Sequence, residues 1–210
     1  MKFLFHHIPR TGGSSIVITF DKQERAFRAH PGLLKDGDIK DQIMVCHHSS
    51  YSEVRPHVNA AYKNITILRN PVDRVVSWCH FKSWYDNELG YALRTGLFWE
   101  ANYYWHLETY NLMTRQLGGS ITSYQPVTQD VFDTAKRRLE KMEWIGITET
   151  LNVDQVVLYK MAGIESPPIK TNMARAVAEL SPETMDTIRD QTEWDRQLYE
   201  FALELKRDKE

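Results

Sequence analysis

Four short apolar runs, separated by stretches with helical periodicity, set the pattern of this chain. They cover residues 2–8, 43–47, 64–69 and 144–148. Runs of this length are typical of buried strands rather than helices. Strands that alternate with helices predict an α/β domain with a central, mainly parallel sheet.

The predicted helices are bounded by ordinary capping residues. Residues 70–71 (Asn-Pro) end the third run and open a helix, since proline is favoured in the first turn. Residues 181–183 (Ser-Pro-Glu) predict another start, and Gly163 predicts an end. Helical stripes recur at Phe132, Ala135, Leu139 and Met142 and at Trp194, Leu198, Phe201 and Leu205. Without repeats, low-complexity tracts or a linker, the chain is predicted to form one domain over residues 1–210.

The most distinctive segment follows the first run. Residues 9–15 read Pro-Arg-Thr-Gly-Gly-Ser-Ser and precede an apolar stretch at 16–20. A strand that turns through glycines into a helix presents backbone N–H groups at a helix N-terminus, and these bind anions. The triphosphatase form G-x-x-x-x-G-K-[ST] is absent, because Arg10 precedes the glycines. The segment predicts a site for a phosphorylated or sulfated ligand, and a purely structural glycine turn is the alternative.

Composition narrows the class of protein. The chain has 210 residues, 42% hydrophobic and 26% charged, which fits a folded domain with a full core. Its formal net charge of -2 argues against binding nucleic acid or a long sulfated polymer. With two cysteines, no bilayer-spanning run and no export signal, we expect a soluble, cytoplasmic protein with reduced thiols.

A second segment connects the chain to a known family. Residues 65–77 read ITILRNPVDRVVS, which predicts a strand, an arginine at its end and a helix that carries Ser77. Together with the segment at 9–15, it resembles the sulfotransferases that use 3′-phosphoadenosine 5′-phosphosulfate (PAPS), particularly the heparan sulfate 2-O-sulfotransferase-like branch. Stretches at 111–118, 144–149 and 194–202 resemble the same branch in the same order. The resemblance implies a P-loop-like, three-layer fold with helices flanking the sheet.

The resemblance also assigns the two ends of the donor. Arg69 and Ser77 would bind its 3′-phosphate, and a basic loop at Lys170 and Thr171 would add to the donor site. The family usually has Lys at the position of Arg10, so Arg10 would stabilise the leaving phosphate by charge and not by giving up a proton. No metal is expected, since the magnesium-binding arrangement is missing. The 5′ end would lie against Arg10, Thr11, Gly12, Gly13, Ser14 and Ser15.

A histidine pair supplies the candidate base. Residues 46–51 read CHHSSY, and alignment of their last two residues with the family's H-G-H-x-S-Y pattern gives His48 the place of the catalytic base. A neutral histidine suits that role because its ordinary pKa is about 6.5. Neighbouring strand residues face opposite sides, so His47 and His48 do not readily share a metal ion.

Aromatic residues crowd the segment at 83–110, which we interpret as an acceptor-side insertion. Aromatic faces stack on sugars, although core packing is the alternative for each ring. We therefore predict sulfuryl transfer from PAPS to a small-molecule or glycan hydroxyl. A P-loop-type small-molecule kinase and a non-catalytic PAPS-binding module are the alternatives, and the oligomeric state is open. The candidate acceptor contacts are His7, Trp84, Tyr85 and Trp105.

Overall fold

A parallel sheet forms the centre of the computed structural model, which describes residues 1–22, 26–28, 43–83, 107–119, 121, 126–165 and 180–208. Its strands are Lys2–His6 (β1), Ala26–Arg28 (β2), Met44–His47 (β3), Tyr62–Leu68 (β4) and Trp144–Ile147 (β5). Their order is β2-β3-β1-β4-β5, and every neighbouring pair is parallel. The predicted α/β class is confirmed.

Helices cover the two faces of this sheet and complete the three predicted layers. Two short 3-10 turns, at Arg55–His57 and Thr148–Thr150, extend a helix or a strand end. The helices are Gly13–Asp21 (α1), Tyr51–Val54 (α2), Pro71–Ser83 (α3), Leu112–Gly118 (α4), Gln129–Glu140 (α5), Leu151–Ala162 (α6), Pro182–Gln191 (α7) and Glu193–Arg207 (α8).

Side-chain alternation along the strands divides the core into two parts. Phe3 and Phe5 of β1 belong to a buried cluster with residues of α1 and α6, namely Ile16, Val17, Phe20, Leu158 and Tyr159. Leu68 of β4 and Ile145 of β5 belong to a second cluster with residues of α4, α5 and α8, namely Leu112, Leu117, Phe132, Leu139 and Leu198. Both faces of the sheet are therefore buried by helices, as parallel sheets require.

Most element boundaries agree with the capping signals. Asn70 Oδ1 accepts hydrogen bonds from the N–H groups of Val72 and Asp73, at 3.1 and 3.3 Å, and so caps α3. Ser181 caps α7, and α6 ends at Gly163 in the left-handed conformation, φ 68°. Three predicted strands end earlier than expected, because the residues after β1, β4 and β5 leave the ladder to form loops at the sheet edge. The short β2 escaped prediction, since three residues show no clear alternation.

Helices α4 and α8 exchange caps at their N-termini. Asp195, fully buried in α8, accepts hydrogen bonds from the N–H groups of Met113 and Thr114 in α4, at 3.1 and 2.7 Å. In return, Asn111 Oδ1 accepts the N–H of Asp195 at 3.0 Å. Burial raises the pKa of Asp195, whereas the positive charge of buried Arg74 lowers it. This exchange joins two of the stretches that the sequence singles out by resemblance, 111–118 and 194–202.

Asp195→Ala should lower the free energy of unfolding by about 3 kcal/mol, because two buried N–H groups and the Arg74 guanidinium lose their acceptor and counter-charge. Denaturant unfolding measures the change. Asp186→Ala is the control, since that carboxylate is 72% exposed and its loss should cost less than about 1 kcal/mol. Equal, small losses in the two variants would contradict a stabilising role for the exchanged caps.

Candidate active site

The carboxyl edge of the sheet brings the predicted site residues together. Arg10 follows β1, His48 follows β3 and Arg69 follows β4. Because β1 lies between β3 and β4, the three loops that leave these strands are neighbours. The convergence expected from the strand order is present, whereas the chemical role of each residue stays a prediction.

The loop between β1 and α1 is a tight turn with two residues in the left-handed conformation. Arg10 has φ 71° and Gly12 has φ 84°. A non-glycine residue in this region carries backbone strain, which is often found at ligand sites. Thr11 is fully buried and its hydroxyl donates to the Ile8 carbonyl at 2.8 Å, which closes the turn. Ser15 Oγ closes the first turn of α1 in the same way, on the Gly12 carbonyl at 2.8 Å.

The N-terminus of α1 is open to an anion. Among its described residues, no side chain caps this helix and no acidic residue stands in its first turn. Ser14 is exposed on that turn. Gly13 cannot carry a side chain, because a Cβ there would lie 2.6 Å from Nε2 of His7. The glycines therefore serve close packing as well as the anion-binding geometry predicted from the sequence.

Thr148 ties this loop to the rest of the sheet edge. Its hydroxyl lies 2.7 Å from the Thr11 carbonyl and 3.1 Å from the Leu68 carbonyl, at the end of β4. One side chain after β5 thus fixes the spacing between the glycine loop and the loop that carries Arg69. Nothing in the sequence pattern separates Thr148 from other polar residues that follow a strand.

Arg10, Ser77 and Arg69 form a connected group. Nε and Nη2 of Arg10 donate to Ser77 Oγ at 3.2 and 3.1 Å, and Nη1 of Arg69 donates to the Arg10 carbonyl at 3.1 Å. The Arg10 guanidinium also lies 4.7 Å from the ring centroid of Phe81, a cation–π contact. Burial, and then the charge of Arg69, lower the pKa of Arg10. The half-buried Arg10 side chain is directed into the group rather than into solvent.

His48 is exposed and its ring has a defined tautomer. Its Nδ1 lies 3.0 Å from the His7 carbonyl, and a carbonyl only accepts, so Nδ1 carries the hydrogen. In the neutral ring with its hydrogen on Nδ1, the lone pair is on Nε2, the arrangement that a general base needs. The ring packs at 4.4 Å from the ring of His7, which is 6% exposed and stacks in turn on Phe5.

His47 faces the opposite side of β3, as strand alternation predicts, and belongs to a buried polar row. The pairs His47 Nε2 to His6 Nδ1, His6 Nε2 to Asn64 Oδ1 and Asn64 Nδ2 to Tyr51 Oη are 2.9, 3.0 and 3.3 Å long. Burial lowers the pKa of His6 to about 4, against the Asn64 hydrogen bond, which raises it. Burial likewise lowers the pKa of His47, and the neighbouring His6 adds to the effect. The row is therefore uncharged at neutral pH.

Several predicted residues lie outside the part of the chain that the structure describes. These are Lys170 and Thr171 of the basic loop and the acceptor candidates Trp84, Tyr85 and Trp105. Most of the proposed insertion at 83–110 lies there too. Their assignments stay predictions from the sequence.

A separate cleft of about 550 Å³ opens beside the end of β5. Its lining includes Glu149 and Tyr199 but neither Arg10 nor His48. Glu149 accepts the N–H of Asn70 at 2.9 Å and the hydroxyl of Tyr199 at 3.0 Å, so it links the start of α3 to α8. Burial and the Glu149 charge raise the pKa of Tyr199.

The residues that the structure describes contain no group of three His, Cys, Asp or Glu side chains arranged to hold a metal ion. Within the same ranges, no helix has the length and apolar character needed to cross a membrane.

The comparisons with known proteins include matches to sulfotransferases. No protein-family model matches the chain. Over 79 residues it is 34% identical to heparan-sulfate 6-O-sulfotransferase 2 of Danio rerio, a match that spans 36% of this chain and 17% of that protein. A solved sulfotransferase from Alicyclobacillus acidocaldarius superposes with a TM-score of 0.47 at 14% identity, covering 94% of this chain and 96% of that one. The predicted resemblance to sulfotransferases is confirmed by the curated match.

Acid should destabilise the protein through His6. Its pKa is about 4 in the folded chain against 6.5 ordinarily, so the unfolded state binds more protons between these values. The contribution of His6 to stability is full above about pH 6.5 and falls as the pH drops toward 4, by about 2 kcal/mol at about pH 5. Denaturant unfolding at about pH 7.5 and about pH 5 should show a smaller acid loss in His6→Leu than in wild type. Equal losses of stability in wild type and in His6→Leu would contradict a neutral His6 in the buried polar row.

Proposed function

We propose that this chain transfers the sulfuryl group of PAPS to a hydroxyl of a carbohydrate or glycoconjugate. The observation that carries the proposal is the meeting of three groups at one sheet edge: the glycine loop, the connected group of Arg10, Arg69 and Ser77, and exposed His48. A donor with phosphate groups at both ends needs two separate anion sites, and transfer to a hydroxyl needs a base beside one of them. The curated relative supports the same activity.

The residues of this edge fit such a donor. The uncapped first turn of α1 offers N–H groups and a positive helix end to the 5′-phosphosulfate. Burial lowers the pKa of Arg10, and the charge of Arg69, a neighbouring cation, lowers it further. An anion bound near both guanidinium groups relieves the repulsion between these two cations. The 3′-phosphate is assigned to Arg69 and Ser77, and Lys170 and Thr171 are proposed to add to the donor site.

The proposed chemistry divides between His48 and Arg10. When bound, the donor supplies an activated sulfuryl group on its 5′-phosphate. His48 takes the proton of the acceptor hydroxyl at Nε2 while the hydroxyl oxygen bonds to sulfur and the bond from sulfur to the bridging phosphate oxygen breaks. The loop N–H groups stabilise the negative charge left on that phosphate, and Arg10, whose guanidinium contacts Ser77 Oγ in this structure, is proposed to add its charge there. A sulfate ester and adenosine 3′,5′-bisphosphate result, and the proton on His48 passes to water.

The proposed acceptor is a small molecule or a glycan. The exposed position of His48 gives a hydroxyl access to the base from solvent. The net charge of -2 favours local recognition of one sugar unit over binding to a long sulfated polymer. Trp84, Tyr85 and Trp105 are the proposed acceptor contacts, on the residue types alone. His7 is predicted with them from the sequence, whereas its side chain is buried between Phe5 and the ring of His48.

Ser77→Ala should weaken binding of adenosine 3′,5′-bisphosphate about tenfold or more, the effect of losing one hydrogen bond to a charged phosphate. Adenosine 5′-monophosphate, which lacks the 3′-phosphate, should bind wild type and variant alike. Titration calorimetry measures both ligands. Equal losses for the two nucleotides would contradict a 3′-phosphate site at Ser77.

His48→Asn should reduce transfer from labelled PAPS to a glycan panel by about 100-fold or more and leave adenosine 3′,5′-bisphosphate binding intact. His57→Asn, at an exposed histidine of a 3-10 turn, is the matched control and should keep wild-type activity. The bisphosphate should raise the melting temperature of wild type and of both variants.

Other outcomes of this experiment select the alternatives. If wild type and His48→Asn both bind the bisphosphate and neither transfers sulfuryl groups, the result would favour a non-catalytic binding module. A melting shift with ATP and magnesium, but none with the bisphosphate, would favour a kinase.

A further inference from the structure

Two side chains from different elements meet at one backbone oxygen beside the candidate base. His48 Nδ1 lies 3.0 Å from the His7 carbonyl, and Gln116 Nε2 of α4 lies 3.2 Å from the same oxygen. The N–H of the same residue, His7, donates to the His47 carbonyl at 3.0 Å. The His7 backbone that holds the His48 ring is therefore held in turn by Gln116 and by β3.

We propose that Gln116 is a positioning residue for His48, an inference that rests on the proposed function. Gln116 is fully buried. A carbonyl oxygen has two lone pairs, and the hydrogen bonds from His48 and Gln116 use both of them. With both used, the carbonyl cannot turn away from His48, so the hydrogen stays on Nδ1 and the lone pair on Nε2.

The other end of the Gln116 amide carries a cost in stability. Since the His7 oxygen only accepts, the amide must present Nε2 to it, and Oε1 points elsewhere. Among the described residues, Oε1 is buried without a hydrogen-bond partner. A buried acceptor without a donor destabilises the folded state. An apolar side chain of the same length would remove that cost, yet it would also release the His7 carbonyl.

Gln116→Met separates positioning from structure. We expect kcat to fall about tenfold through misplacement of the base, with the KM for PAPS and the affinity for adenosine 3′,5′-bisphosphate unchanged. The melting temperature should be equal to that of wild type or higher. Gln191→Met is the matched control, because Oε1 of Gln191 is also buried without a partner among the described residues and lies in α7. It should leave kcat unchanged.

Nitrogen-15 NMR of the His48 ring gives a readout that does not need activity. Wild type and Gln191→Met should show Nδ1 protonated and Nε2 unprotonated, and Gln116→Met should show exchange between the two tautomers. An unchanged tautomer together with an unchanged kcat would overturn the inference. So would a lowered melting temperature with kcat intact. The NMR result decides the role of Gln116 even if wild type transfers no sulfuryl group, so failure of this inference and failure of the proposed activity can be distinguished. If Gln116→Met does not fold, Gln116→Leu is measured in its place.

Discussion

The position of β1 between β3 and β4 is the constraint on which the site depends. All neighbouring strands are parallel, so their carboxyl ends share one edge, and the loops after these three strands must be neighbours. Arg10, His48 and Arg69 are therefore close although they are far apart in the chain. Thr148 then fixes the spacing, since its hydroxyl contacts the carbonyls at the glycine loop and at the end of β4.

Burial decides where charge is tolerated around this edge. Burial, and then the charge of Arg69, lower the pKa of Arg10 at the mouth of the loops. Burial keeps His6 and His47 neutral. Their hydrogen bonds to each other and to Asn64 pair most of the polar atoms in the buried row without any charged group. The exchanged caps of α4 and α8 matter here as well, because α4 carries Gln116 to the His7 carbonyl.

Local signals in the sequence predicted much of this. Asn70, Ser181 and Gly163 act on their own helices, so caps and stops could be read without knowledge of the fold. The alternation of strands and helices predicts a parallel sheet but not the order of its strands. A parallel sheet alone was enough to predict that the glycine loop and Arg69 lie at the same edge. Contacts between distant residues could not be read in this way. Phe81 lies against the Arg10 guanidinium, and the cap exchange joins residues more than 80 positions apart, and neither contact has a local signal in the sequence.

The central claim is that the glycine loop and the Arg69 and Ser77 pair form the two ends of one nucleotide site. A crystal structure with adenosine 3′,5′-bisphosphate tests it most directly. The account predicts the 5′-phosphate on the N–H groups at the start of α1, the 3′-phosphate on Arg69 and Ser77, and an open space between the 5′-phosphate and His48 Nε2. A nucleotide bound at the glycine loop with its 3′-phosphate in solvent, or bound away from this edge, would contradict it.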